Sequence, residues 1–123
     1  MKPYGKELIL DMHGCDVSKF NRKDLKAYFV ALCDEIDMER QKLVFWDDEG
    51  LPPEECQTNP HTKGTSAVQF IITSNVTIHC LDILRAVYVN IFSCKDFNIS
   101  AAGELTKKWF GATECSERFI ERV

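Results

Sequence analysis

The chain has 123 residues, a hydrophobic fraction of 45%, a charged fraction of 28% and a net charge of -4. This is the composition of an ordinary soluble globular protein and the length of one domain, with no room for a second core. The acidic balance and the lack of any basic run exclude a phosphate-binding surface for nucleic acid, and no apolar stretch approaches the roughly 20 residues of a membrane-spanning helix.

The first residues, Met1-Lys2-Pro3-Tyr4-Gly5, lack the apolar run of a signal peptide, so a cytoplasmic location is expected. Cys15, Cys33, Cys56, Cys80, Cys94 and Cys115 are then read as reduced thiols. Several fall inside apolar runs, where a free Cys packs as a small hydrophobe.

Lys6 to Cys15 carries Leu8, Ile9, Leu10 and Met12 and stops at His13-Gly14, the pattern of a first strand. Asn21 is an N-cap with Asp24 in the first turn, and Leu25, Tyr28, Phe29, Leu32, Cys33 and Ile36 form one stripe, which predicts an amphipathic helix from about residue 21 to 38. Gln41 to Asp47 reads as a second strand. From Asp48 to Gly64 the residues Gly50, Pro52-Pro53, Asn59-Pro60 and Gly64 mark a long loop, of a length that often carries function.

Thr65–Thr73 and Asn75–Cys80 read as strands meeting at Ser74; in the second, Val76, Ile78 and Cys80 face one way and Asn75, Thr77 and His79 the other. Arg85 to Cys94 is a further β-branched and aromatic strand. Asn98 caps a short helix that carries Lys107 and Lys108 in its last turn and stops at Gly111, and residues 112–123 form a candidate edge strand. Consecutive strands without crossover helices predict an α+β fold, a two-layer sandwich whose mostly antiparallel sheet is covered on one face by two helices.

Read singly, the chemistry-bearing residues have ordinary alternatives. Ser74 suits a turn between strands, His79 a solvated strand face beside Thr77, and Cys94 a packed core thiol. A metal site built on His13 and Cys15, on Cys56 and His61, or on His79 and Cys80 is disfavoured. None has the paired C-x-x-C spacing of structural zinc, and adjacent strand residues point to opposite faces. The acidic cluster of Asp47, Asp48, Glu49, Glu54 and Glu55 reads as solvated loop charge.

The ordered set Ile9-Leu10-Asp11-Met12-His13-Gly14-Cys15, Gly64-Thr65-Ser66, Ser74-Asn75-Val76-Thr77-Ile78-His79 and Ile91-Phe92-Ser93-Cys94 resembles the small pyruvoyl-dependent S-adenosylmethionine decarboxylases of bacteria and archaea. The likeness runs from about Gly5 to Gly111, in a single domain spanning 1–123. It implies self-cleavage between Thr73 and Ser74, giving a β chain 1–73 and an α chain 74–123 whose first residue becomes a pyruvoyl group. That ketone would form a Schiff base with the substrate amine and act as the electron sink that pyridoxal phosphate (PLP) provides elsewhere, so neither PLP nor a metal is expected.

The resemblance also implies roles. Ser74 would be the nucleophile and pyruvoyl precursor, His79 the proton acceptor in processing, Ser66 its hydrogen-bonding partner, and Cys94 the proton donor to the product carbon. The implied reaction supplies the aminopropyl donor for polyamine (spermidine) synthesis, and the implied assembly is a homodimer with each site completed by both protomers.

Departures concentrate where nucleoside recognition is expected. Thr73 and Asn75 flank the serine where Glu and His are usual, and a β-branched Thr crowds the scissile bond. Leu81-Asp82-Ile83 stands where a Trp-Pro-Glu-like segment would hold the ribose, leaving Asp82 as the acid one position out of register. The aromatic before Gly-x-Ser is missing, and His61 is the ring left to stack. Two alternatives follow: the same chemistry on a smaller basic amino acid such as ornithine or arginine, or a homologue that does not process and acts as a binding protein.

Overall fold

A computed structural model describes residues 1–123. Six strands, β1 (Gly5–His13), β2 (Arg40–Trp46), β3 (Gly64–Ile71), β4 (Ser74–Leu81), β5 (Ala86–Ser93) and β6 (Glu114–Arg122), form one sheet in the order β2-β3-β4-β5-β1-β6. All five neighbouring pairs are antiparallel, as expected where strands follow one another without crossover helices. β1 lies between β5 and β6, so the tail does form an edge strand, over Glu114–Arg122 within the expected 112–123.

Two helices, α1 (Arg22–Glu35) and α2 (Ile99–Phe110), cover one face. Both begin as the sequence predicts: the side chain of Asn21 accepts the Asp24 N–H, and that of Asn98 accepts the Ala101 N–H, each satisfying an orphan amide of the first turn. α2 ends at Gly111 with φ 62°, whose N–H closes onto the carbonyls of Lys107 and Lys108.

Beneath the helices, alternate strand residues (Leu8, Leu10 and Met12 of β1, Val76, Ile78 and Cys80 of β4, Val87, Val89 and Ile91 of β5) are fully or almost fully buried with Leu25, Tyr28, Phe29, Leu32 and Phe110. The Tyr28 ring packs 5.1 Å from that of Phe110, and its hydroxyl shares a 2.7 Å hydrogen bond with Thr106 Oγ1, so the polar end of this buried ring is satisfied at the helix–helix contact.

The other face has no helix over it. It carries Val44, Trp46, Phe70 and Ile120, between 42% and 64% exposed. Two ion pairs lie within the face, Arg118–Asp11 at 2.8 Å and Arg122–Glu7 at 2.7 Å, and Asn90 donates to Glu7 at 2.7 Å.

The thiols sort by layer. Burial pushes Cys15 and Cys33 up from the ordinary 9.0 to about 11, and Cys80 higher still. A raised folded-state pKa favours the neutral thiol, so this stabilisation is complete below the unfolded value near 9.0 and is lost as pH rises through about 11. Native alkylation at pH 8 is expected to mark the exposed Cys94 first and to spare Cys15, Cys33 and Cys80 until the chain unfolds, as peptide mass mapping would read.

Candidate active site

The β3–β4 hairpin places Thr73 and Ser74, the two residues on either side of the expected cleavage. Ile71 pairs with Ser74, so only Ile72 and Thr73 form the turn, and Ser74 opens β4 beside Ser93 of β5. The backbone N–H of Cys94 donates to the Thr73 carbonyl at 3.0 Å. The carbonyl preceding Ser74 is therefore already held by an amide donor, the arrangement that stabilises negative charge on an attacked oxygen. Asn75 Nδ2 donates to Ser74 Oγ at 3.3 Å. Cys94 is exposed and lines a cavity of about 250 Å³ with Tyr4, Lys6, Ser93, Asp96 and Phe119.

A second cluster lies farther along the same strands. Ser66 of β3 and His79 of β4 are cross-strand partners, and Ser66 Oγ stands 2.7 Å from His79 Nδ1. The family resemblance implies a hydrogen-bonding partnership between these two residues; the contact is present, while its part in processing is an expectation. Close approach of the two strands here depends on Gly64: its φ is 157°, and a Cβ would collide with the carbonyl oxygen of Cys80.

The cavity beside this pair, about 330 Å³, is lined by Trp46, His61, Thr62, Leu81 and Tyr88. Register explains the company: Trp46 pairs with Ser66 across β2–β3, and Tyr88 with His79 across β4–β5. The long loop brings in His61, and Asp48 anchors that loop by accepting the Gln57 N–H at 2.9 Å and Lys63 Nζ at 3.0 Å. Trp46, 64% exposed, was missed in the sequence because it is distant from the Gly-x-Ser motif; only the β2–β3 register places it there.

Asp82 lies elsewhere. It lines a neighbouring cavity of about 190 Å³ with Asn21, Arg22, Asp47, Asp48 and Lys63. Burial raises its pKa, partly offset by Lys63, and its Oδ1 is buried without a hydrogen-bond partner. His61 and Asp82, the two substrate-binding candidates, therefore do not line one cavity.

Nor do the two clusters meet within one chain. His79 lies five positions along β4 from Ser74, a strand path of roughly 16 Å at about 3.3 Å per residue. Thr73, Ser74 and Cys94 form one cluster; Ser66 and His79 form another.

A family model described as S-adenosylmethionine decarboxylase matches residues 6–123. Among solved structures, the chain is similar to the adenosylmethionine decarboxylase from Aquifex aeolicus VF5, with 15% identity, a TM-score of 0.79, and coverage of 99% of this chain and 92% of that one. No curated protein sequence matches at a significant level. The shared fold is the two-layer sandwich described above, with no helix long and apolar enough to cross a membrane.

Proposed function

Because the chain belongs to the S-adenosylmethionine decarboxylase family, a family of lyases, we propose that it cleaves itself before Ser74 and decarboxylates S-adenosylmethionine for polyamine synthesis. The observation that carries this reading is the Thr73 carbonyl held by the Cys94 N–H directly before Ser74.

Ser74 Oγ attacks the Thr73 carbonyl carbon while the Cys94 amide holds the developing oxyanion. The Oγ–C bond forms, the Thr73–Ser74 C–N bond breaks, and the freed nitrogen takes a proton, leaving an ester. Removal of the Ser74 Cα proton and rupture of the Cβ–Oγ bond then release residues 1–73 with a carboxylate end. The enamine left at residue 74 takes a proton at Cβ to become an imine, and water then displaces its nitrogen as ammonia, leaving the ketone.

His79 is the base for the elimination. When its Nδ1–H donates to Ser66 Oγ, Nε2 carries the free lone pair and accepts the proton. Since His79 stands far along the strand from Ser74 of its own chain, the base comes from a second copy. The helix-free face, which exposes Val44, Trp46, Phe70 and Ile120 beside two internal ion pairs, is suited to bury itself against its own two-fold mate.

The pyruvoyl group supplies the electron sink for decarboxylation, and the residues at the hairpin fit its formation at Ser74. The exposed Cys94 thiol holds the proton destined for the product carbon. Trp46, His61 and Tyr88 offer aromatic surface for a planar base beside His79, which favours a nucleoside-bearing substrate over ornithine or arginine. Carbon dioxide release from carboxyl-labelled S-adenosylmethionine, against labelled ornithine and arginine, tests the substrate; faster release from either amino acid would overturn it. Trp46→Ala is expected to raise KM for S-adenosylmethionine about tenfold, corresponding to loss of about 1.4 kcal/mol of stacking, with the extent of self-cleavage unchanged.

A further inference from the structure

Thr73 is held at two points by consecutive residues of one strand end. Cys94 holds its carbonyl through the backbone, and the Ser93 hydroxyl shares a 2.7 Å hydrogen bond with Thr73 Oγ1. Ser93 is wholly buried and fixed in turn: its Oγ accepts the Lys95 N–H at 3.0 Å. Met38 Sδ lies beneath both hydroxyls, 3.5 Å from Thr73 Oγ1 and 3.7 Å from Ser93 Oγ.

A wholly buried serine hydroxyl must find partners, and here both partners lie at the turn and the strand end that flank Ser74. Its effect is to fix the Thr73 side chain, and with it the peptide plane whose carbonyl carbon Ser74 must reach. A β-branched side chain has few rotamers, so one hydrogen bond at Oγ1 suffices to lock it. Thr73, which from sequence is only a crowding residue at the scissile bond, becomes the handle by which that bond is oriented.

We propose that Ser93 is a positioning residue for self-cleavage, acting through the hydroxyl of Thr73 to keep the scissile carbonyl on the Cys94 amide and open to Ser74. This rests on the self-cleavage reading above. The reacting atoms are unchanged: Ser93 forms no covalent bond and transfers no proton, and it acts on the first step, ester formation, rather than on elimination.

The test is a double-mutant cycle on the cleavage rate of the full-length chain, with Ser93→Ala, Thr73→Val and the pair, each followed by intact mass with and without hydroxylamine, which splits an accumulated ester. Either single variant is expected to slow cleavage about 10- to 100-fold, the range for misplaced reacting groups. The double variant should be no slower than the worse single, and hydroxylamine should release no extra fragment, because the ester is what fails to form. Thr73→Ser, which keeps the hydroxyl, should recover most of the rate.

Multiplying effects in the pair, a Ser93→Ala chain that cleaves at the parent rate, or ester accumulation in that variant would each overturn the proposal. A parent chain that never splits would sink the self-cleavage reading itself, and this one with it, a result distinct from the other three. Melting temperatures of all variants accompany the rates, and a loss of cleavage that tracks loss of folding counts against positioning.

Discussion

Ser74→Ala is expected to persist as one chain of 123 residues and to release no carbon dioxide from S-adenosylmethionine. The substitution removes a single oxygen at the start of β4, at a half-buried position where Ser74 Oγ receives only the 3.3 Å contact from Asn75. The hairpin should therefore fold unchanged, since Ile71, Ser74 and Ser93 are registered through backbone and not through that hydroxyl. Without Oγ there is no nucleophile for the Thr73 carbonyl, no ester and no ketone. The effect on activity is total, whereas the effect on melting should stay within the ±0.5 kcal/mol of a substitution that disturbs no core packing. Denaturing electrophoresis and thermal melting, read together, check both halves.

His79→Ala should fail differently. The ester can form, because Ser74 and the Cys94 amide are untouched, but the Cα proton has no acceptor. Cleavage should slow by about 10²- to 10⁴-fold, the usual worth of a positioned base. The stalled ester should be split by hydroxylamine between Thr73 and Ser74, a signature that Ser74→Ala cannot give.

The separation of Ser74 from His79 along β4 adds a second readout. If the base comes from a second copy, co-folding Ser74→Ala with His79→Ala places one intact site in each mixed dimer, and about a quarter of all chains should split under random pairing. If both groups acted within one chain, the mixture would stay whole. A monomeric mass in solution would also contradict the shared site.

Much of this fold was legible in the sequence because its elements carry their own punctuation. Asn21 and Asn98 announced the helices, Gly111 ended the second, and the alternation of Val76, Ile78 and Cys80 with Thr77 and His79 fixed which face of β4 is buried. Burial of Cys15, Cys33 and Cys80 followed from their apolar neighbours.

What the sequence did not disclose is set by pairing between distant segments. Trp46 reaches the Ser66–His79 cavity only through the β2–β3 register, and the Thr73–Ser93 hydrogen bond exists only because β4 begins opposite the end of β5. Asp82 was assigned by its place in a motif, yet one residue of offset after β4 puts it in a neighbouring cavity beside Lys63. The strand after Ser74 was legible, but a motif that names Ser74 and His79 together does not convey that five positions along that strand keep their side chains apart within one chain.

The account turns on whether the Thr73–Ser74 bond breaks, and an intact mass spectrum of the freshly purified chain under denaturing conditions reads this directly. The predicted result is two fragments, 1–73 and 74–123, the second with a ketone and no amine at its first residue. A single 14.1 kDa species that survives days of incubation would contradict it, and would mean that the fold has been kept for binding.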